Sequence, residues 1–158
     1  MKIIKLLCFS LLFLMALSVN AQYVDLGLPS GTKWKAANET GGHKGFYTYD
    51  EAVKAFGDKL PTKEQLKELY DKCKWTWSSS RDGYIVTGVN GNSIFLPAAG
   101  CRSCDGVIDD VGFRGSYCSL TPYVTDESCA WYLYFTYCSR RTTSCYRCVG
   151  LSVRLVQD

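Results

Sequence analysis

Residues 115–156, GSYCSLTPYVTDESCAWYLYFTYCSRRTTSCYRCVGLSVRLV, decide how this chain is read. At the centre, Ala130-Trp-Tyr-Leu-Tyr-Phe-Thr136 alternates strictly, which is the pattern of a half-buried strand. Trp131, Leu133 and Phe135 are expected on one side of it, and Tyr132, Tyr134 and Thr136 on the other. The thirteen residues from Thr136 to Cys148 contain no aliphatic and no acidic side chain. Then Leu151-Ser-Val-Arg-Leu-Val156 alternates again, with Leu151, Val153 and Leu155 to one side. Two core strands are thus expected to carry a loop made almost wholly of Tyr, Ser, Thr, Arg and Cys. Such a composition fits a recognition surface, where Tyr and Arg give contact area and Ser and Thr give adaptable hydrogen bonds. It equally fits an ordinary surface loop tied down by disulfides.

Working outward, residues 1–21 read as a secretory signal peptide: Lys2 and Lys5, an apolar run from Ile3 to Val19, and a small-residue site at Val19-Asn20-Ala21. Cys8 lies in that run and leaves with it. No second apolar run approaches the ~20 residues that cross a bilayer, so no membrane span is expected in residues 22–158. That remainder is one domain's worth of chain and keeps eight cysteines, seven of them between Cys101 and Cys148. Export makes disulfides possible, but the crowding is unlike a stapled scaffold, whose cysteines spread throughout. Net charge is +3, and all eleven lysines fall at or before Lys74. A nucleic-acid sheath would mix Lys with Arg, and export argues against that partner as well. Losing Lys while keeping Tyr and Arg is instead what interfaces show.

In chain order, Tyr23–Leu28 and Thr32–Lys35 are expected as short strands around a Pro29-Ser30-Gly31 turn. Thr48-Tyr-Asp-Glu51 and Thr62-Lys-Glu-Gln65 are capping boxes, each opening a helix. The first stops at Gly57; the second carries an apolar stripe of Leu66, Leu69, Tyr70 and Cys73. Cys73 then reads as a small buried hydrophobe. Trp75-Thr-Trp77 is expected to be extended, and Gly83–Gly88 and Asn92–Leu96 flank the hairpin signal Asn90-Gly91. Gly100 to Gly115 reads as loop. Strands, two helices, then strands again give an α+β fold with short antiparallel hairpins.

Four segments carry a resemblance: Tyr23-Val-Asp-Leu-Gly-Leu-Pro-Ser-Gly-Thr-Lys-Trp34, Leu60-Pro-Thr-Lys-Glu-Gln-Leu66, Gly91-Asn-Ser-Ile-Phe-Leu-Pro-Ala-Ala-Gly100 and Gly150-Leu-Ser-Val-Arg154. In order, they resemble the Fibrobacter succinogenes major paralogous domain family of exported bacterial proteins. The resemblance implies a single domain similar in fold to C-type lectins and to the formylglycine-generating enzyme. Some members of that fold are variable proteins of diversity-generating retroelements, in which Asn codons of the final segment are rewritten. Trp, Met, Lys, Glu and Gln are unreachable from such codons, and neither Thr136–Cys148 nor Gly100–Asp126 contains any of them. Clustered cysteines are then products of diversification and need not pair. Carried over by position, the expected ligand-facing residues are Tyr123, Cys129, Tyr132, Tyr134, Thr136 and Tyr137, followed by Cys138, Arg140, Arg141, Thr142 and Thr143. Ser144, Cys145, Tyr146 and Cys148 complete the set. Trp131, Leu133, Phe135, Gly150, Val153 and Arg154 are expected as scaffold. Cys118 departs from the family pattern, where a buried Trp is usual.

Chemistry is weaker. His43, the only histidine, sits in a Gly-rich stretch with no partner at fixed spacing. Cys101-x-x-Cys104 with Cys145-x-x-Cys148 has the outline of a four-thiolate zinc site, but an oxidising compartment and the wide separation favour simple disulfides. Cys145-Tyr-Arg-Cys148 superficially resembles the copper-binding pair of the formylglycine-generating enzyme, with shorter spacing on a shorter chain. Asp105, Asp109 and Asp110 could offer calcium ligands, yet no sugar–calcium motif accompanies them. The expectation is therefore an exported, non-enzymatic binding or adhesion domain without a cofactor. Its ligand would be a protein or glycan on another cell, phage or host. The alternatives are the copper enzyme and a structural surface protein without a dedicated ligand.

Overall fold

The computed structural model describes residues 22–158; the expected leader, residues 1–21, lies outside them. Strands β1 (Tyr23–Asp25) and β2 (Lys33–Lys35) pair antiparallel, and the last strand, β11 (Val156–Gln157), adds to β2. Helices α1 (Tyr49–Phe56) and α2 (Lys63–Lys72) follow, each opened by its complete capping box at Thr48/Glu51 and Thr62/Gln65. Gly57, at φ 53°, ends α1 in a conformation that suits glycine. Strands β3 (Lys74–Ser78), β4 (Gly83–Thr87) and β5 (Ser93–Pro97) form a meander, with Gly91 at φ 87° in the expected turn. The fold is α+β: two helices among small antiparallel sheets.

Three expectations change. Within Gly100–Gly115, β6 (Cys101–Arg102) and β7 (Ile108–Asp109) form a small hairpin. The supposed loop after Thr136 is strand β10 (Ser139–Tyr146), paired along its length with β9 (Cys129–Thr136) through the two-residue turn Tyr137-Cys138. Strand β8 (Arg114–Pro122) pairs on the other side of β9. Finally, residues 151–156 are not a continuous strand. Leu151 and Ser152 make isolated bridges to Tyr47 and Tyr117, and all six residues are buried. The segment threads the interior instead of edging it. Leu151, Val153 and Leu155 still share one side, as the alternation requires.

The β8–β9–β10 sheet lies between two apolar clusters. On one side Leu133, Phe135 and Tyr117 join Leu66 and Leu69 of α2 with Trp34, Tyr84 and Val86. On the other, Tyr132 and Cys118 join Tyr47, Ala52, Leu60, Cys101 and the Leu151–Leu155 segment. Gly115 is dictated by this packing, because a Cβ there would collide with the Phe135 ring. Arg154, 1% exposed, ties the pieces together. Its Nε donates to Asn38 Oδ1 (2.8 Å), and its Nη atoms to the carbonyls of Lys35, Ala36 and Phe95 (3.0, 2.8 and 2.7 Å). A buried guanidinium is tolerated because its donors are satisfied. Its expected scaffold role stands.

Candidate functional site

Strand register arranges the candidate residues in rows. Arg114, Thr136 and Ser139 form one row; Ser116, Tyr134 and Arg141 the next; Cys118, Tyr132 and Thr143 the third; and Ala130 pairs with Cys145 beyond. In a pleated strand the residues between them point to the opposite side. Arg140, Thr142 and Ser144 therefore share the side of Phe135, Leu133 and Trp131, toward α2. The Arg140 guanidinium lies 5.5–5.6 Å from the ring centroids of Tyr70, Trp75 and Tyr84. The expected single recognition face is thus two faces, and Arg140 packs onto the scaffold.

A second correction concerns Tyr132. It is 8% exposed and belongs to the second cluster, because the Cys101 and Leu151–Leu155 segments cover its end of the sheet. Cys145 packs half-buried against the same cluster, with its thiol pushed up to about 12 by burial and then by the nearby Cys129 and Cys101 thiols. Cys118, expected as a departure, is 1% exposed, and burial likewise pushes its thiol up to about 12. Cys73, expected to be buried, is only half-buried as the cap residue of α2. Trp131, expected as scaffold, is half-exposed beneath the Lys63 ammonium, 3.5 Å from its ring.

What remains open is the row around Tyr134. Its half-buried ring has the Arg141 guanidinium carbon 4.7 Å from its centroid and that of Arg114 at 5.7 Å. Arg114 Nη1 pairs with Asp110 Oδ2 at 3.1 Å and its Nη2 donates to Cys101 Sγ at 2.6 Å. Arg141 is exposed, as are Tyr137 (69%) and Cys138 at the hairpin tip. Phe113, one residue before the Arg114–Thr136 pair at that end, is 72% exposed. Arg114 and Phe113 were missed in the sequence. The alternation of Arg114, Ser116 and Cys118 against Gly115, Tyr117 and Ser119 was the available signal.

At the far end, Tyr123 stands edge-on to Trp131 at 5.2 Å, Cys129 Sγ contacts Asp126 Oδ2 at 3.6 Å, and Tyr146 is exposed. Cys148 bonds to Cys104 in the one disulfide among the described residues, joining the β6–β7 hairpin to the end of β10. With those two sulfurs committed to each other, neither CxxC offers a thiol pair. Among the described residues no three His, Cys, Asp or Glu side chains are placed to hold a metal ion. Asp105 is occupied within its own loop by Ser103 and the Val107 amide, and Asp110 by Arg114.

Two open clefts, of about 490 and 250 Å³, are lined by residues such as Tyr23, Lys59 and Val156, and Asn38, Phe46 and Ala99, and by neither Tyr134 nor Arg141. The open side chains around Tyr134 stand on the paired strands β8, β9 and β10. No helix among the described residues is long and apolar enough to cross a membrane. Comparison with protein-family models, curated proteins and solved structures found no match to this chain.

Proposed function

We propose that this protein is an exported bacterial binding domain of C-type-lectin-like fold, without enzymatic activity. Its β8–β10 sheet presents recognition side chains that a retroelement diversifies. The observation that carries the reading is Tyr134, half-open between Arg114 and Arg141 on strands whose other side is anchored by Leu133 and Phe135, both 0% exposed. Rigid strands beneath aromatic and guanidinium groups limit the entropy lost on binding, and such groups dominate interface energetics. Open side chains on paired strands, lining neither of those clefts, suit a macromolecular ligand on another cell, phage or host.

The diversification half is tested in the neighbouring DNA. A near-copy of the codons for residues 100–148, with Asn codons at the exposed positions and a reverse-transcriptase gene beside it, is expected. Its absence from the natural locus contradicts diversification. The binding half is tested by replacing the exposed Tyr137 and Arg141 together with Ala. Adhesion of the purified protein to cells or phage should vanish while the melting temperature holds. Unchanged adhesion points instead to a structural surface protein.

A further inference from the structure

We propose that the open surface takes an acidic segment of a partner protein, with a carboxylate on Arg141 and an apolar side chain against Tyr137 at the hairpin tip. This rests on the binding reading above and names its partner chemistry. The seven arginines differ in what neutralises them. Arg102, Arg114 and Arg147 lie within 4 Å of Glu51, Asp110 and Asp50. Arg154 is satisfied by four acceptors, Arg140 sits among three rings, and Arg81 covers Phe95 at 3.7 Å. Arg141 is exposed beside Tyr134 with no carboxylate within salt-bridge distance among the described residues, and its guanidinium lies over the Tyr134 ring.

A guanidinium lying on an aromatic face keeps its planar N–H fork pointing outward and loses less freedom on pairing than a free side chain would. That fork matches a carboxylate with two parallel hydrogen bonds. Because Asp110 already neutralises Arg114, the surface around Tyr134 is left with one uncompensated positive charge. At the hairpin tip, Tyr137 adds exposed aromatic area of the kind that anchors a protein partner.

A glycan is disfavoured by the donor set. Sugar hydroxyls are held largely by carboxylate and carboxamide side chains; residues 129–148 contain none, and the carboxylate beside the Tyr134 row, Asp110, is paired with Arg114. Guanidinium, hydroxyl and aromatic groups instead complement an acidic peptide with an apolar neighbour.

The test screens the protein, purified after export, against a displayed random-peptide library and a glycan array, alongside R141Q and R141K. Peptides enriched in Asp or Glu next to apolar residues are expected from the library. R141Q should weaken them about tenfold, as loss of one charge-assisted hydrogen bond does. R141K should fall between the two, because it keeps the charge without the fork. Added salt should weaken the wild-type complexes. Peptides without acidic enrichment, or equal binding by R141Q, overturn the acidic partner and leave the binding reading intact. Binding confined to the glycan array overturns the partner class alone. Folded wild-type protein that binds neither overturns both.

Discussion

Tyr132 and Tyr134 sit two residues apart on the same side of β9, yet only one is available to a ligand. Tyr132 is buried in the second cluster, so Tyr132→Ala should cost roughly 3 kcal/mol in a urea-unfolding experiment, as for other large buried side chains. Tyr146→Ala, at an exposed position, should stay within about 0.5 kcal/mol of wild type. Equal costs at both positions would contradict the burial described. The thiols make a pH prediction. Burial pushes Cys118 and Cys145 up to about 12 from an ordinary thiol value of 9.0. The folded chain therefore keeps protons that the unfolded chain releases once pH passes 9. Stability should be flat in this respect below pH 9 and fall between pH 9 and 12; Cys118→Ala should flatten that fall. Thiol labelling of the native protein at pH 8 should reach exposed Cys138 first and Cys118 only on unfolding. At this scale the sequence was half legible. Alternation put Leu133 and Phe135 in the core correctly, but it could not reveal that the polar-looking side faced a second core.

Elements differ in how plainly residues announce them. Both helices were readable because each capping box satisfies amides locally, with no distant partner needed. Thr62→Ala should cost about 1 kcal/mol in thermal unfolding. Thr62→Ser, which keeps the hydroxyl, should restore most of it; a Ser variant as weak as Ala would deny the cap. Strand β10 was hidden for the opposite reason. Its residues bury little, so no apolar period marks it, and its turn Tyr137-Cys138 lacks the Asn-Gly signal that exposed the β4–β5 hairpin. Its Thr, Tyr and Arg residues form a strand because β9 supplies a full ladder of backbone partners, and tertiary context outweighs pattern. Arg140, Thr142 and Ser144 entered the expected ligand set by position from the resemblance, and without the strand's pleat nothing separated them from Arg141 and Thr143.

Across the whole molecule, the sheet between two clusters depends on pairings distant in sequence: β11 on β2, the Leu151–Val156 thread, and the Cys104–Cys148 bridge. Such closures leave no local trace, so the α+β class was legible while the packing of the site was not. The disulfide spans 44 residues, and loop-closure entropy gives it about 4 kcal/mol. Replacing both cysteines with Ser should lower the urea midpoint accordingly; an unchanged midpoint would mean the bridge is not formed in the folded protein. A sheet built to display exchangeable side chains must hold its shape while those side chains are replaced. The measurement that tests this randomises the exposed Tyr137, Cys138, Arg141 and Tyr146 together in a displayed library and scores resistance to protease. Most members should resist as the wild type does, whereas a control library at Tyr132, Leu133 and Phe135 should be digested. Comparable digestion of both libraries would contradict the account.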